Sequence, residues 1–139
     1  MDDVVYSVHM YDPGTFTHQG VGPGDPMGQT YPGEMDNGDR LDKEWIRRQL
    51  APVREFQLKH SAKILVGEFS AICWAKGADA YIRDAIELFE EYGWDWCYLA
   101  FREWRAWRVE HEGPDANHLV PSADNPRKRE LLRGLLQHR

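Results

Sequence analysis

The clearest feature of the hydrophobic pattern is the stretch over residues 63 to 70, in which an apolar run ends abruptly at Gly67 and Glu68. A continuous apolar run bounded by polar residues predicts a parallel strand that is covered on both faces. In α/β proteins the reactive groups gather at the carboxyl ends of such strands. We therefore expect this strand to deliver Glu68 to a functional surface.

Two further segments have the composition of strands. Residues 4 to 11 are rich in β-branched and aromatic side chains and stop at the turn that begins with Asp12, and residues 94 to 101 are aromatic and apolar. The second of these is predicted to be another buried strand. Because strand side chains alternate, His9 and Tyr11 share one face and would both point to the centre beside the Glu68 strand.

Helical periodicity separates these strands. Residues 43 to 60 repeat apolar positions on one face after the N-capping residue Asp42, with Pro52 as an expected bend. Residues 79 to 92 form a second predicted helix, which ends at Gly93, where a left-handed residue is wanted. This alternation of strand and helix predicts an α/β protein with a parallel sheet and right-handed crossovers.

A final helix is predicted to begin after a cap at Asn125 or Asp124, and residues 105 to 121 before it have no clear pattern. We expect its inward face to be formed by Leu131, Leu132, Leu135 and Leu136.

Residues 12 to 40 show no periodicity and hold seven of the twelve glycines and four of the eight prolines. The segment is predicted to be one long loop, and loops of this length are usually binding loops or mobile segments. A mobile, solvated loop is an equal alternative for residues 20 to 38. The side chains suited to ligand contact are Phe16, His18, Gln19 and Tyr31.

Composition limits the class of protein. The 139 residues suit one domain, 42% are hydrophobic, and the net charge of −6 does not favour a nucleic-acid partner. No apolar run approaches the ~20 residues that span a membrane, and the first residues do not resemble a signal peptide. Cys73 and Cys97 lack metal-ligand spacing and are expected to be buried free thiols. No metal or organic cofactor is indicated.

Three motifs in order resemble the last three strands of glycoside hydrolase family 5, the cellulase-type (β/α)8 barrels. The resemblance covers nearly the whole chain, and its motifs are specific in combination. They are His9-Met10-Tyr11, then Val66-Gly67-Glu68-Phe69-Ser70 with Trp74-Ala75, then Trp94-Asp95-Trp96 leading to Phe101-Arg102-Glu103-Trp104.

The resemblance implies a partial TIM barrel, with residues 1 to 139 as a carboxyl-terminal catalytic segment that holds strands six to eight. It makes Glu68 the nucleophile of a retaining enzyme that hydrolyses β-1,4-glucan. His9 and Tyr11 then match the pair that hydrogen-bonds the sugar and the nucleophile. Glucan, mannan and xylan are not distinguished, and the implied location is extracellular.

The same resemblance assigns the substrate contacts. Trp104 is expected to be the platform under the sugar, and Trp107 is its nearest competitor. The loop that follows the first strand would line the cleft. The remaining residues expected to contact substrate are Asp12, Phe16, Gln19 and Tyr31.

The chain also departs from the family. The acid/base glutamate of these enzymes lies in an Asn-Glu pair on the fourth strand, and no such pair occurs here. Three strand–helix units are predicted, against eight in a full barrel. Glu103 is a poor candidate for a substitute acid because it precedes Trp104 directly and would point to the opposite face of the strand.

Other readings stay open. The chain could be an inactive barrel remnant that binds glucan, or one that associates with itself or another chain through open sheet edges. Glu68 could be a buried structural carboxylate paired with an arginine such as Arg102. A different (β/α)8 glycosidase family would also place a glutamate at a strand end.

Overall fold

The computed structural model describes residues 4–100 and 102–138. Phe101, with which the third strand was predicted to end, lies outside the described residues. The elements in chain order are β1 (Val5–Met10), α1 (Gly14–Thr17), β2 (Gly33–Glu34), β3 (Arg40–Leu41), α2 (Lys43–His60), β4 (Lys63–Phe69), α3 (Ala78–Tyr92), β5 (Asp95–Tyr98), β6 (His111–Glu112), β7 (Val120–Pro121) and α4 (Pro126–Gln137).

The main sheet has three strands in the order β1-β4-β5, and both pairings are parallel. Parallel neighbours need a crossover, which α2 supplies between β1 and β4 and α3 supplies between β4 and β5. The predicted parallel α/β arrangement is confirmed. The carboxyl ends of all three strands consequently meet at one edge of the sheet.

One face of this sheet packs on the helices and forms the core. Met10 of β1 and Val66 and Phe69 of β4 are at most 2% exposed. The ring of Phe69 meets Phe89 of α3 edge to face, with ring centroids 5.2 Å apart. Burial of such side chains is the main favourable contribution to folding.

The predicted helix ends are confirmed. The Asp42 carboxylate accepts a hydrogen bond of 3.0 Å from the backbone N–H of Trp45 at the start of α2, and Asn125 caps α4 in the same way. Gly93 ends α3 with a φ of 67°, which a glycine adopts without steric cost. Within residues 4–100 and 102–138, none of the helices is both long and apolar enough to cross a membrane.

The expectation that the strands are buried on both faces is wrong. Ser7 and His9 of β1 and Asp95 and Cys97 of β5 are exposed, because nothing among the described residues covers the second face of the sheet. Cys73 is half-buried and both cysteines are free, so the predicted burial of the thiols fails at Cys97.

Residues 12 to 40 are more ordered than predicted. They contain α1 and the hairpin of β2 with β3. The side chain of Gln19 fixes the segment, since its amide nitrogen donates to the carbonyls of Phe16 and Gln29 and its oxygen accepts from the N–H of Gly28. Residues 105 to 121 likewise contain a hairpin, formed by β6 and β7.

The predicted inward face of α4 is wrong in part. Arg127 and Gly134 are its buried residues, whereas Leu132, Leu135 and Leu136 are exposed. A Cβ at Gly134 would lie 2.8 Å from a methyl carbon of Ile86. The helix therefore approaches α3 through its glycine.

Candidate active site

The position of Glu68 depends on an irregularity in β4. Val8 of β1 pairs with Val66, but the next residue, His9, pairs with Glu68. Gly67 is therefore an extra residue, a β-bulge, which turns the following side chain to the other face of its strand. As a result Glu68 lies on the same, open face as His9.

The pairing of β4 with β5 shows the same bulge. Val66 pairs with Trp96 and Phe69 pairs with Tyr98, so two residues of β4 oppose one residue of β5. The bulge also returns Phe69 to the covered face, where it is fully buried.

Gly67 is required by the space around it. A Cβ built there would lie 2.5 Å from the hydroxyl oxygen of Ser7 and 3.6 Å from Nε2 of His9. A glycine inside a strand pattern is the sequence signal for such a bulge or close approach. The bulge at Gly67 brings Glu68 next to His9.

Glu68 contacts His9 of β1 and Tyr11, the residue that follows β1, through one carboxylate oxygen. The hydroxyl of Tyr11 donates a hydrogen bond of 3.1 Å to Oε2, and Nδ1 of His9 lies 3.5 Å from the same atom. Among the described residues Oε1 makes no hydrogen bond. One oxygen of the carboxylate is thus held while the other is open to a ligand.

The side chain of Glu68 is 35% exposed, so the alternative of a buried structural carboxylate is wrong. The arginine suggested as its partner, Arg102, forms a two-point ion pair with Glu110, at 2.9 Å for each nitrogen–oxygen contact.

The environment of Tyr11 keeps its hydroxyl protonated. Burial raises the pKa of Tyr11 well above its usual value, and the hydrogen bond to Glu68 and the charge of that carboxylate raise it further. The phenol therefore donates to Glu68 over the whole neutral pH range.

Aromatic rings enclose Tyr11. The indole of Trp107 stacks on it with a centroid distance of 5.4 Å and an interplanar angle of 24°. His18 meets the same ring edge to face at 5.1 Å, and burial lowers the pKa of His18. Trp104 lies one ring further out, 5.0 Å from Trp107.

The three loops that follow the strands are bonded to one another. The Thr17 hydroxyl donates to the carbonyl of Tyr11 at 2.5 Å, and the Thr17 carbonyl accepts from the N–H of Ile72 at 3.2 Å. The N–H of Cys73 donates to the carbonyl of Ala106 at 2.9 Å. These bonds hold Tyr11, Glu68 and Trp107 at one edge of the sheet.

Comparison with known proteins identifies relatives of this chain. No family model matches the chain. Endoglucanase C of Acetivibrio thermocellus is 31% identical over an alignment of 116 residues, and the match covers 66% of this chain and 34% of the relative.

The homologues of this chain are cellulase-type endoglucanases of the family 5 kind.

Solved structures agree with this homology. A crystal structure of a glycoside hydrolase superposes on this chain with a TM-score of 0.74 at 23% identity. The superposition covers 98% of this chain and 41% of the glycoside hydrolase chain. A hyperthermophilic endo-β-1,4-glucanase in complex with substrate gives a TM-score of 0.70 at 25% identity, covering 96% and 41%. The predicted resemblance to cellulases is confirmed, and the solved structures that this chain matches are glycoside hydrolase barrels.

The match to these endoglucanases is partial. The chain spans about a third of the length of the curated relative and about two fifths of the solved structures. Which barrel strands β1, β4 and β5 correspond to, and the roles of the individual site residues, stay predictions.

Three of the side chains that were predicted to contact substrate are buried in the core of this chain. Phe16, Gln19 and Tyr31 are 0%, 3% and 4% exposed. The Tyr31 hydroxyl donates to Asp84 at 2.7 Å, and Phe16 packs on Tyr81. Their side chains build the core beneath the loop, which corrects their assignment to the cleft.

The other predicted contacts are accessible. Asp12 is exposed, and its backbone carbonyl accepts a hydrogen bond of 2.8 Å from Tyr81. Trp104 and Trp107 are half-buried. Trp107, which was predicted as the competitor of Trp104, stacks on Tyr11.

Sequence reasoning missed Arg127, which is 3% exposed. Nothing in the helical pattern distinguishes it from the other basic residues of α4, because a charged residue is expected to face water. In the part of the chain that the structure describes, no group of three or more His, Cys, Asp or Glu side chains could hold a metal ion.

Proposed function

We propose that this chain supplies the nucleophile side of a retaining endoglucanase, with Glu68 as the nucleophile. The observation that supports the proposal most is the carboxylate of Glu68 at the carboxyl end of β4, held at one oxygen by Tyr11 and open at the other. The homology to endoglucanases supports hydrolysis of a glycosidic bond as the class of reaction.

In the proposed reaction Oε1 of Glu68 attacks the anomeric carbon. A bond forms between this oxygen and the carbon, and the glycosidic bond breaks with its electron pair on the leaving oxygen, which takes a proton from an acid. Water then attacks the glycosyl ester and releases Glu68. Tyr11 and His9, both at Oε2, orient the carboxylate for attack.

The acid/base residue is proposed to lie outside these 139 residues. Retaining enzymes hold two carboxyl groups about 5 to 5.5 Å apart. The family resemblance puts the second one in an Asn-Glu pair, which this sequence lacks. The longer endoglucanase relatives are consistent with a contribution from further strands.

The substrate is proposed to be β-1,4-glucan outside the cell. Trp107 stacks on Tyr11, the residue that donates to Glu68, and Trp104 meets Trp107 edge to face. Indole faces of this kind stack on the apolar faces of sugar rings. Asp12 is exposed near the same strand ends and could accept hydrogen bonds from sugar hydroxyls.

Covalent trapping tests the nucleophile without the missing acid. A 2-deoxy-2-fluoro-cellobioside with a dinitrophenolate leaving group needs no protonation of that group, so attack by Glu68 is sufficient. Mass spectrometry should find one sugar per chain, on the peptide that contains Glu68, and none in Glu68→Gln. A label that persists in Glu68→Gln, or a wild-type chain that stays unlabelled, contradicts the proposal.

A second candidate is a glucan-binding or associating module without turnover. The open face of the sheet and the exposed leucines of α4 favour it, since uncovered apolar surfaces and strand edges bind partners. Light scattering behind size exclusion separates a defined oligomer from a monomer. Binding without labelling of Glu68 would support this candidate over the enzyme.

A further inference from the structure

Arg127 is a buried charge that is solvated by backbone rather than by a carboxylate. Within residues 4–100 and 102–138 it forms no ion pair, although buried arginines usually have one. Its guanidinium donates instead to four carbonyl oxygens at 2.8 to 3.2 Å. The acceptors are the carbonyls of Ala71, Trp107, Arg108 and His111.

These acceptors belong to two different segments of the chain. Ala71 follows β4, the strand that carries Glu68, whereas the other three follow β5. One nitrogen, Nη1, binds both Ala71 and Trp107, so a single side chain sets the spacing of the two segments. The carbonyl of Trp107 also accepts a hydrogen bond of 2.5 Å from Tyr98.

The fixed backbone of Trp107 determines where its indole lies. That indole stacks on Tyr11, and Tyr11 donates to Glu68. A continuous series of contacts thus runs from Arg127 through Trp107 and Tyr11 to the carboxylate.

We propose that Arg127 is a positioning residue that fixes Trp107 against Tyr11 and so keeps the Tyr11 hydroxyl on Glu68. The inference rests on the proposed function of Glu68 and deepens it by naming what orders the site. The raised pKa of Tyr11 agrees with a ring that is held buried beside the carboxylate.

An arginine suits this position better than a lysine. The planar guanidinium directs Nη1 to one pair of carbonyls and Nη2 to another pair, which lies in a different direction. A lysine ammonium is a single point with three donors and does not span the same acceptors. Arg127→Lys therefore keeps the charge but should release part of the contact.

The test measures the geometry of the rings by NMR and does not depend on hydrolysis. In the wild type, Tyr11 should show nuclear Overhauser contacts to Trp107 and a ring-current shift from the stacked indole. Both signals should be lost in Arg127→Gln and weakened in Arg127→Lys. The Tyr11 phenol should then titrate closer to its ordinary pKa of 10.0.

The matched control lies on the same helix. Arg129 is 58% exposed and pairs with Asp124 at the surface, so Arg129→Met should leave every Tyr11 signal unchanged. Trp107→Leu should abolish the ring-current shift of Tyr11. Adding Arg127→Gln to Trp107→Leu should change the Tyr11 signals no further, because the effects of residues that contact one another in series are not additive.

The outcomes separate this inference from the proposed function. If Arg127→Gln folds, by circular dichroism, and retains the wild-type Tyr11 signals, the inference is overturned. If that variant does not fold, Arg127→Lys is read in the same way, and an intact stack there overturns it equally. Failure of Glu68 to be labelled, with these ring signals as expected, would count against the enzyme and not against the role of Arg127.

Discussion

The two faces of the β1-β4-β5 sheet differ although the same strands form both. The covered face consists of apolar side chains such as Val66 and Phe69, which are fully buried against the helices. The open face presents Ser7, His9 and Glu68, which are exposed or half-exposed. Stability is therefore concentrated on one face and the candidate chemistry on the other.

The bulge at Gly67 is what lets one strand serve both faces at its carboxyl end. Glu68 and Phe69 are neighbours in sequence, yet the first contacts Tyr11 and the second packs on Phe89. The separation of the faces predicts that substitutions on the two sides will have effects of very different size.

The largest effect is expected for Phe69→Ala on the covered face. Removal of a fully buried aromatic ring leaves a cavity and should lower the free energy of unfolding by about 3–5 kcal/mol. The adjacent Glu68→Gln on the open face should change it by less than about 1 kcal/mol. Urea denaturation compares the two variants, and equal losses would show that the faces are not energetically distinct.

A smaller effect is expected for Gly67→Val at the boundary of the faces. The new side chain would meet the hydroxyl of Ser7 and the ring of His9, and overpacking of this kind costs about 1–3 kcal/mol. His9 should also move away from Glu68, which its NMR signals would report. Ser7→Gly in the same chain should restore part of the loss, and no restoration would contradict the steric explanation.

The smallest effect is expected from a change of one pH unit in the alkaline range, and it differs between the faces. Burial raises the pKa of Tyr81 in the core and that of Tyr11 on the open face. Above the unfolded-state value near 10 the unfolded chain loses protons that the folded chain keeps, so stability falls as pH rises. Below that value this contribution is fully present.

The slope for Tyr81 should approach about 1.4 kcal/mol per pH unit. Tyr81→Phe should make the alkaline decline shallower. Tyr11→Phe should do so by less, because water screens a half-buried group more strongly than a buried one. Denaturation midpoints between pH 8 and 12 measure both slopes, and an unchanged slope in Tyr81→Phe contradicts the assignment.

The order of the main elements could be predicted from the sequence because hydrophobic periodicity and capping residues act locally. Asp42, Gly93 and Asn125 end their helices as predicted. The likeness to cellulases was also predicted, since the motifs around His9 and Glu68 are short and contiguous.

The packing of the loops could not be predicted because it depends on contacts distant in sequence. Phe16 and Tyr31 have side chains suited to ligand contact, and only the fold shows that they lie in the core. Arg127 is buried because four carbonyls from two separate segments of the chain converge on it, which no local pattern encodes. The leucines of α4 were assigned inward because periodicity alone does not show which helix face finds a partner.

The claim that the open face binds glucan is tested most directly through the six tryptophans. A ¹H–¹⁵N spectrum resolves their indole N–H groups, of which Trp94 and Trp96 donate to Gln57 and Glu90 on the covered side. Titration with cellotetraose should shift the signals of Trp104 and Trp107 and leave those of Trp94 and Trp96 in place. Shifts confined to Trp94 and Trp96, or no shift at any tryptophan, would contradict the account.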